Sequence, residues 1–243
     1  MSARLRAPIE AVTFDLDHTL WELEGVIEHA ERRAYAFLDR HFPAVTAALS
    51  LEDVLALRGR TADDRPDLVH NVTALRHEVF RRAGRAGGYE GESLEGLVER
   101  TFAEFLDARH EVVLFDDTIP VLDWLREQGL RVGAITNGNA EVHRLGLDGY
   151  FDFALSAMEV GAAKPSHLVF EAARGRAGVP MGHIVHVGDE PSTDVIGAAT
   201  AGMQPVWFNR HGASWPADEV PRTPCVELAS LTELRDQLAE VLG

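Results

Sequence analysis

Apolar residues fall along this chain in two rhythms. Residues 9–16 hold a short apolar run around Ala11-Val12-Thr13-Phe14, which predicts a buried strand. From about residue 21 to 109 the pattern changes, and charged residues interleave with Leu, Ala, Phe and Val at helical spacing. Helices are predicted over 28–38, 51–57, 68–83 and 94–108. The stretch 84–91, with Gly84, Gly87, Gly88 and Gly91, reads as a loop between the last two. From Thr118 onward strands and helices alternate. Strands are predicted at 131–135, 153–157, 183–187 and 204–208, and helices at 120–128, 139–145, 166–177, 194–201 and 231–242. Such alternation implies an α/β fold, a doubly wound, Rossmann-like parallel sheet with helices on both faces. The expected organisation is a core from residues 1–20 and 111–243, interrupted by a helical insertion over 21–110.

Composition narrows the partners. The 243 residues are 46% hydrophobic, enough for a substantial core. With 23 basic and 39 acidic residues the formal net charge is −16. A field of that sign repels nucleic acid and anionic membranes, so neither is expected as a partner. An uninterrupted apolar stretch of about 18 residues is absent, so no membrane span is expected. Residues Met1 to Pro8 lack the apolar core of a secretory signal, and Cys225 is the single cysteine. Both features fit a cytoplasmic protein. The oligomeric state is not legible.

The chemistry gathers where predicted strands end. Asp15 and Asp17, in Phe14-Asp15-Leu16-Asp17-His18-Thr19, stand at the carboxyl end of the first strand, where open α/β sheets place their ligands. Buried negative charge needs a positive partner, and a hard divalent cation with oxygen ligands, Mg²⁺, is the economical one. The second run, Ile135-Thr136-Asn137-Gly138, offers a hydroxyl and backbone N–H groups suited to an anion, or else an Asn-Gly turn. Lys164, before Pro165, would neutralise a phosphate or a nucleophilic carboxylate, or else lie solvated at a helix start. In Val187-Gly188-Asp189-Glu190-Pro191-Ser192-Thr193-Asp194 two carboxylates stand five apart across a turn, which helix capping would also explain.

These four segments, in this order, resemble the motifs of the haloacid dehalogenase superfamily: Asp-x-Asp-x-Thr, Thr/Ser, Lys and Gly-Asp-x-x-x-x-Asp. The resemblance covers about residues 9–210. It implies that the insertion is a helical type-one cap. It also implies an aspartyl-phosphate mechanism in which Asp15 is the nucleophile and Asp17 the acid and base. Thr136, the backbone around Asn137, and Lys164 would hold or offset phosphate. Asp15, the Asp17 carbonyl and Asp189 would be Mg²⁺ ligands, with Asp194 supporting the metal indirectly. The carboxylate at Asp17 separates the chain from the superfamily's dehalogenases, which lack one there, and favours a phosphatase or a phosphomutase. A sugar phosphomutase and a non-catalytic binding module remain the alternatives.

Thr136-Asn137-Gly138-Asn139-Ala140, Leu145 to Phe151, and His186-Val187-Gly188-Asp189 are similar to bacterial phosphatases of riboflavin biosynthesis. Those enzymes act on 5-amino-6-(5-phospho-D-ribitylamino)uracil and FMN. In the insertion, His70-Asn71-Val72-Thr73 with Arg76 resembles a His-Asp-Val-Thr…Arg element of that subgroup, with Asn71 in place of Asp. His70, Thr73 and Arg76 would share one helix face, for substrate or for packing. Arg58, Arg60, Arg65, Arg81, Arg82 and Arg85 are either anion contacts or solvated helix faces. Glu190 is an extra ligand or a turn acid. Trp21 lines a pocket or fills the core, and His183 and His186 read as structural or surface residues.

Overall fold

The computed structural model describes residues 4–69, 71–216 and 221–243. The chain divides into two compact units, Met1–Glu22 with Val113–Gly243, and Leu23–Val112.

The first unit is built on six parallel strands: β1 (Ala11–Phe14), β2 (Arg131–Thr136), β3 (Phe153–Ser156), β4 (Ile184–Gly188), β5 (Gln204–Phe208) and β6 (Val226–Leu228). Their order is β3-β2-β1-β4-β5-β6, every neighbouring pair parallel. β1 and β4 are buried along their whole length, as expected of strands covered on both faces. The order reverses between β1 and β4, so a crevice opens beyond their carboxyl ends. Asp15 and Asp189 are the residues directly after those two strands.

The second unit is helical: α1 (Val26–His41), α2 (Pro43–Ala48), α3 (Leu51–Asp64), α4 (Val72–Ala86) and α5 (Gly91–Arg109). Ala30, Ala34, Leu38, Val45, Leu97, Val98 and Phe105 form its interior. Ser50 and Asp53 make a reciprocal cap at the start of α3. The glycine-rich stretch is shorter as a loop than its composition predicts. α4 continues through Gly84 to Ala86, because Gly84 lies against the Leu94 and Leu97 side chains where a Cβ would clash.

The sheet's helices are α6 (Thr118–Glu127), α7 (Ala157–Val160), α8 (His167–Ala177), α9 (Ile196–Ala201) and α10 (Leu231–Leu242). The helix predicted at 139–145 is only a 3₁₀ turn, Val142–Leu145. A π-turn over Pro191–Val195 precedes α9. Among the described residues no helix is long and apolar enough to cross a membrane.

Candidate active site

Asp15 leaves β1 with its N–H still donating to the Val187 carbonyl at 2.8 Å, so the sheet fixes its backbone. Its side chain keeps 15% exposure, while those of Lys164 and Asp194 keep 1% each. The Lys164 ammonium lies 2.7 Å from Asp15 Oδ1 and 2.6 Å from Asp194 Oδ1. Both contacts are short ion pairs, so charge holds the ammonium between the two acids. The lysine is aimed from its main chain. The Asn137 carboxamide accepts from Lys164 N–H at 2.7 Å and donates to Lys164 C=O at 2.9 Å.

Asp194 reaches the cluster from the π-turn because Gly188 has no side chain. A Cβ there would fall 2.3 Å from Asp194 Cγ. Its Oδ2 accepts from the Glu190 N–H at 3.1 Å, and its Oδ1 takes His186 Nε2 at 3.2 Å. Asp189 receives the Thr19 hydroxyl on Oδ1 at 3.5 Å and the Trp207 indole N–H on its carbonyl at 2.8 Å. The loop after β1 turns at His18, the sole non-glycine residue among those described with positive φ, at 59°. Trp21 is fully buried and donates its indole N–H to Asp17 Oδ1 at 2.9 Å, which restricts the Asp17 rotamer.

Asp15, Asp189 and Asp194 each place one carboxylate oxygen within 4.8 Å of the others. Burial raises the Asp15 carboxyl well above the usual carboxylate range; Lys164 pulls it back, while Asp194 and Asp17 push it further up. Asp189 is pushed up to about 8, first by burial and then by the charges of Asp15 and Asp194. Burial acts on Asp194 in the same sense, but Lys164 and the His186 hydrogen bond outweigh it and hold that carboxyl low. Burial alone would lower Lys164; its two acid neighbours outweigh this and keep it cationic. Three carboxyl groups thus crowd one ammonium, and their full ionisation leaves an excess of two negative charges on oxygen donors. A hard divalent cation fits that excess and that donor set.

The structure therefore brings Asp15, Lys164, Asp189 and Asp194 into one cluster, with Asp17 two residues from its centre. Thr136 ends β2, and its hydroxyl accepts from the Gly138 N–H at 2.9 Å. The Asn137 side chain is committed to the Lys164 main chain, and its backbone is the part expected to meet phosphate. Glu190 is turned to Ser192, accepting from its N–H and hydroxyl at 3.4 and 3.1 Å, so it acts as a turn acid. Of the helical-unit candidates, Asn71 caps α4 by accepting from Ala74 N–H at 2.9 Å. Arg76 is buried, paired with Glu31 at 2.8 Å and lying over the Phe105 ring at 4.1 Å, so packing claims it. His70 lies outside the described residues. The sequence alone reads His186 as structural or surface and does not show that it bridges Thr13 and Asp194, nor the Trp21–Asp17 bond. A histidine on a fully apolar strand and a tryptophan four residues after an aspartate were the available signals.

A family model described as haloacid dehalogenase-like hydrolase matches residues 9–202. The chain is 34% identical over 230 residues to the 5-amino-6-(5-phospho-D-ribitylamino)uracil phosphatase YigB of Escherichia coli (strain K12), spanning 93% of this chain and 96% of that protein. It is 30% identical over 213 residues to a glyceraldehyde 3-phosphate phosphatase of Methanopyrus kandleri, spanning 83% and 84%. Among solved structures, a 2-haloacid dehalogenase from Pseudomonas syringae pv. Tomato DC3000 shares a TM-score of 0.87 at 38% identity over 96% of this chain and 99% of that one. A HAD phosphatase from Thermococcus onnurineus gives 0.64 at 28% identity over 95% and 98%. The sheet order, the carboxylate cluster at its switch point and the match over most of the chain agree: this protein belongs to the haloacid dehalogenase-like hydrolases.

Proposed function

We propose that the chain hydrolyses small-molecule phosphate monoesters through a covalent intermediate on Asp15. The carrying observation is the buried Asp15–Lys164–Asp194 cluster with a second carboxylate, Asp17, two residues from the nucleophile. The Asp15 carboxylate attacks phosphorus and forms an acyl phosphate as the bond to the leaving alcohol breaks. Asp17 gives that alcohol its proton, then takes one from the water that cleaves the acyl phosphate. Lys164 offsets the charge shared by Asp15 and the phosphoryl group, and Thr136 with the backbone at Asn137 holds phosphoryl oxygens. Asp15, the Asp17 carbonyl and Asp189 would hold Mg²⁺, with Asp194 steadying the set from behind. When bound, the ion would screen phosphate from the carboxylates and polarise a phosphoryl oxygen.

The helical unit would act as a cap that selects substrate. The substrate class is a small phosphate ester, and the relationship to the uracil phosphatase makes 5-amino-6-(5-phospho-D-ribitylamino)uracil and FMN the first compounds to try. A cleft of about 680 Å³ beside Asp189, lined by His18, Trp207, Asn209, Arg210 and His211, has room for a molecule of that size. A second reading, 2-haloacid dehalogenase, is favoured by the 38%-identical structural relative. Asp17 speaks against it, since displacing halide needs no acid to protonate a leaving alcohol.

The deciding experiment measures phosphate release from FMN, the ribitylaminouracil phosphate, nucleotides, sugar phosphates and glyceraldehyde 3-phosphate, with Mg²⁺ and with EDTA. Halide release from 2-chloro and 2-bromo acids runs alongside. Metal-dependent phosphate release is expected, strongest with the two flavin-pathway esters. Halide release in EDTA with no phosphate release would replace this reading with the dehalogenase one.

A further inference from the structure

One buried polar side chain next to the cluster has no part in the chemistry above. His186 lies on β4 opposite Thr13 of β1 in the parallel register, so their side chains share a face of the sheet. Both are buried, at 1% and 0% exposure. The imidazole bridges two groups: Nδ1 is 2.9 Å from Thr13 Oγ1, and Nε2 is 3.2 Å from Asp194 Oδ1. The Phe170 ring packs edge-on against it with centroids 5.4 Å apart. Strand, hydroxyl and aromatic ring together leave the imidazole one orientation.

Resting on the reading of Asp15 as nucleophile, we infer that His186 is a positioning residue: it fixes Asp194, and through Asp194 the Lys164 ammonium, against the Asp15 carboxylate. A carboxylate only accepts hydrogen bonds, so Nε2 must donate to Asp194. Burial disfavours the imidazolium and keeps the ring neutral. Nδ1 then accepts, and the Thr13 hydroxyl is its donor, at 2.9 Å against 3.4 Å to the competing Val185 carbonyl. Asp194 Oδ1 is the shared atom, taking the imidazole at 3.2 Å and the ammonium at 2.6 Å. Because the ammonium is held by charge between two acids, its place depends on where Asp194 stands. Remove the Nε2 donor and Asp194 keeps only the Glu190 N–H as a directional anchor among the described contacts. Its Oδ1 is then free to turn, and Lys164 moves with it. As Asp15 attacks, its charge spreads onto the phosphoryl group, and a displaced ammonium offsets that charge poorly. The loss therefore belongs to turnover and not to substrate binding.

His186→Phe keeps the ring and the contact with Phe170 but removes the donor. His186→Gln restores an N–H where Nε2 lies. The Phe variant is expected to lose about 10- to 100-fold in kcat with KM within about twofold of the parent. The Gln variant is expected to recover most of that loss. In parallel, a long-range ¹H–¹⁵N spectrum of histidine-labelled protein is expected to show His186 protonated at Nε2 and bare at Nδ1. If His186→Phe does not fold, Thr13→Val, which removes the donor to Nδ1 at nearly constant shape, takes its place, with a smaller kcat loss expected. Parent-level kcat in a folded Phe variant, or in Thr13→Val used in its stead, overturns the proposal, as does an imidazole protonated at Nδ1. A parent protein that releases no phosphate from any ester overturns the phosphatase reading instead, and the His186 spectrum then decides the positioning role by itself.

Discussion

The two units of this chain handle charge in opposite ways. In the helical unit, arginines pair with acids, mostly at the surface. Arg81 joins Glu78 and Glu95 at 2.9 and 2.8 Å, Arg82 meets Asp64 at 2.6 Å, and Arg33 bridges Glu104 and Glu111. A deeply buried pair there, Arg76–Glu31, matches one charge with one. In the sheet unit three carboxylates surround a single buried ammonium. Pairs that neutralise each other contribute little to stability and leave nothing over for a ligand. A cluster that does not balance is costly in the resting protein and supplies an oriented field to whatever completes it. The arginines whose sequence clustering suggested anion contacts illustrate the first case: Arg65 is spent on Asp67, and Arg81 and Arg82 on acids of their own unit.

That contrast is open to direct attack. The largest effect belongs to Asp15→Asn, which keeps shape and removes the proposed nucleophile. Steady-state assays should show turnover down by about ten-thousand-fold or more. The fold should survive, and without metal the variant should melt above the parent near pH 8, because one of the crowded charges is gone. Wild-type turnover in this variant would sink the assignment of Asp15.

Next comes Gly188→Ala. The new methyl would strike the Asp194 carboxylate, so that acid must move. A stability loss of about 1–3 kcal/mol is expected by denaturant titration, together with a fall of about 10- to 100-fold in kcat. A variant with parental activity would mean that Asp194 is not needed where it stands.

A smaller effect follows from pH. The folded pKa of Asp189, about 8, lies above its ordinary 3.8, so its contribution to stability is full below about 4 and is lost as pH rises through 8. Asp15 is raised as well and acts in the same direction. Asp194 is lowered, so its contribution is present above about 4 and is lost only at lower pH, outside the window that matters here. Metal-free protein should thus melt lower at about pH 8.5 than at about pH 5.5 on account of this cluster. Added Mg²⁺, which binds the ionised carboxylates, should raise the melting temperature more at the higher pH. An equal Mg²⁺ gain at both would contradict the charge imbalance.

The smallest effect is expected in the other unit. Arg81→Ala breaks two pairs whose acids are 14% and 53% exposed, and should cost no more than about 1 kcal/mol in a denaturation curve with kcat unchanged. A large loss of activity would show that this arginine serves more than its own unit.

Much of the sheet unit was legible because its strands are largely apolar runs, and Asp15 and Asp189 fall directly after two of them. β1, β2, β4 and β5 need no more information than that. β6 escaped because Val226–Leu228 is too short to show a period, and its strand state comes from pairing with β5. α2 and α7, of six and four residues, escaped for the same reason. The helix expected at 139–145 did not form beyond a 3₁₀ turn, which ends at Gly146 in a left-handed conformation. Among site residues, Asp15, Lys164, Asp189 and Asp194 carry charge, and charge beside an apolar run stands out. His186 and Trp21 do not, because on a buried strand and in an apolar turn they look like packing. His186 meets Thr13, 173 residues away, and Asp194 across a turn, while Trp21 folds back onto Asp17, and none of these contacts is written in an apolar pattern. Asn137 was seen as a polar turn residue, while its hold on Lys164 spans 27 residues.

Just before the helical unit begins, Trp21 pairs with Leu114 as an antiparallel bridge, and the Leu20 carbonyl accepts from Phe115 N–H and the Thr118 hydroxyl at 3.0 and 2.8 Å. The sheet unit thereby ties together the two points at which its chain departs and returns. Closing a flexible loop costs more with length only slowly, and here the ends are already fastened side by side. The length of the excursion between them is thus weakly constrained by the sheet unit. What hangs between Glu22 and Val113 can lengthen or shorten while Asp15 and Asp189 stay where the sheet puts them.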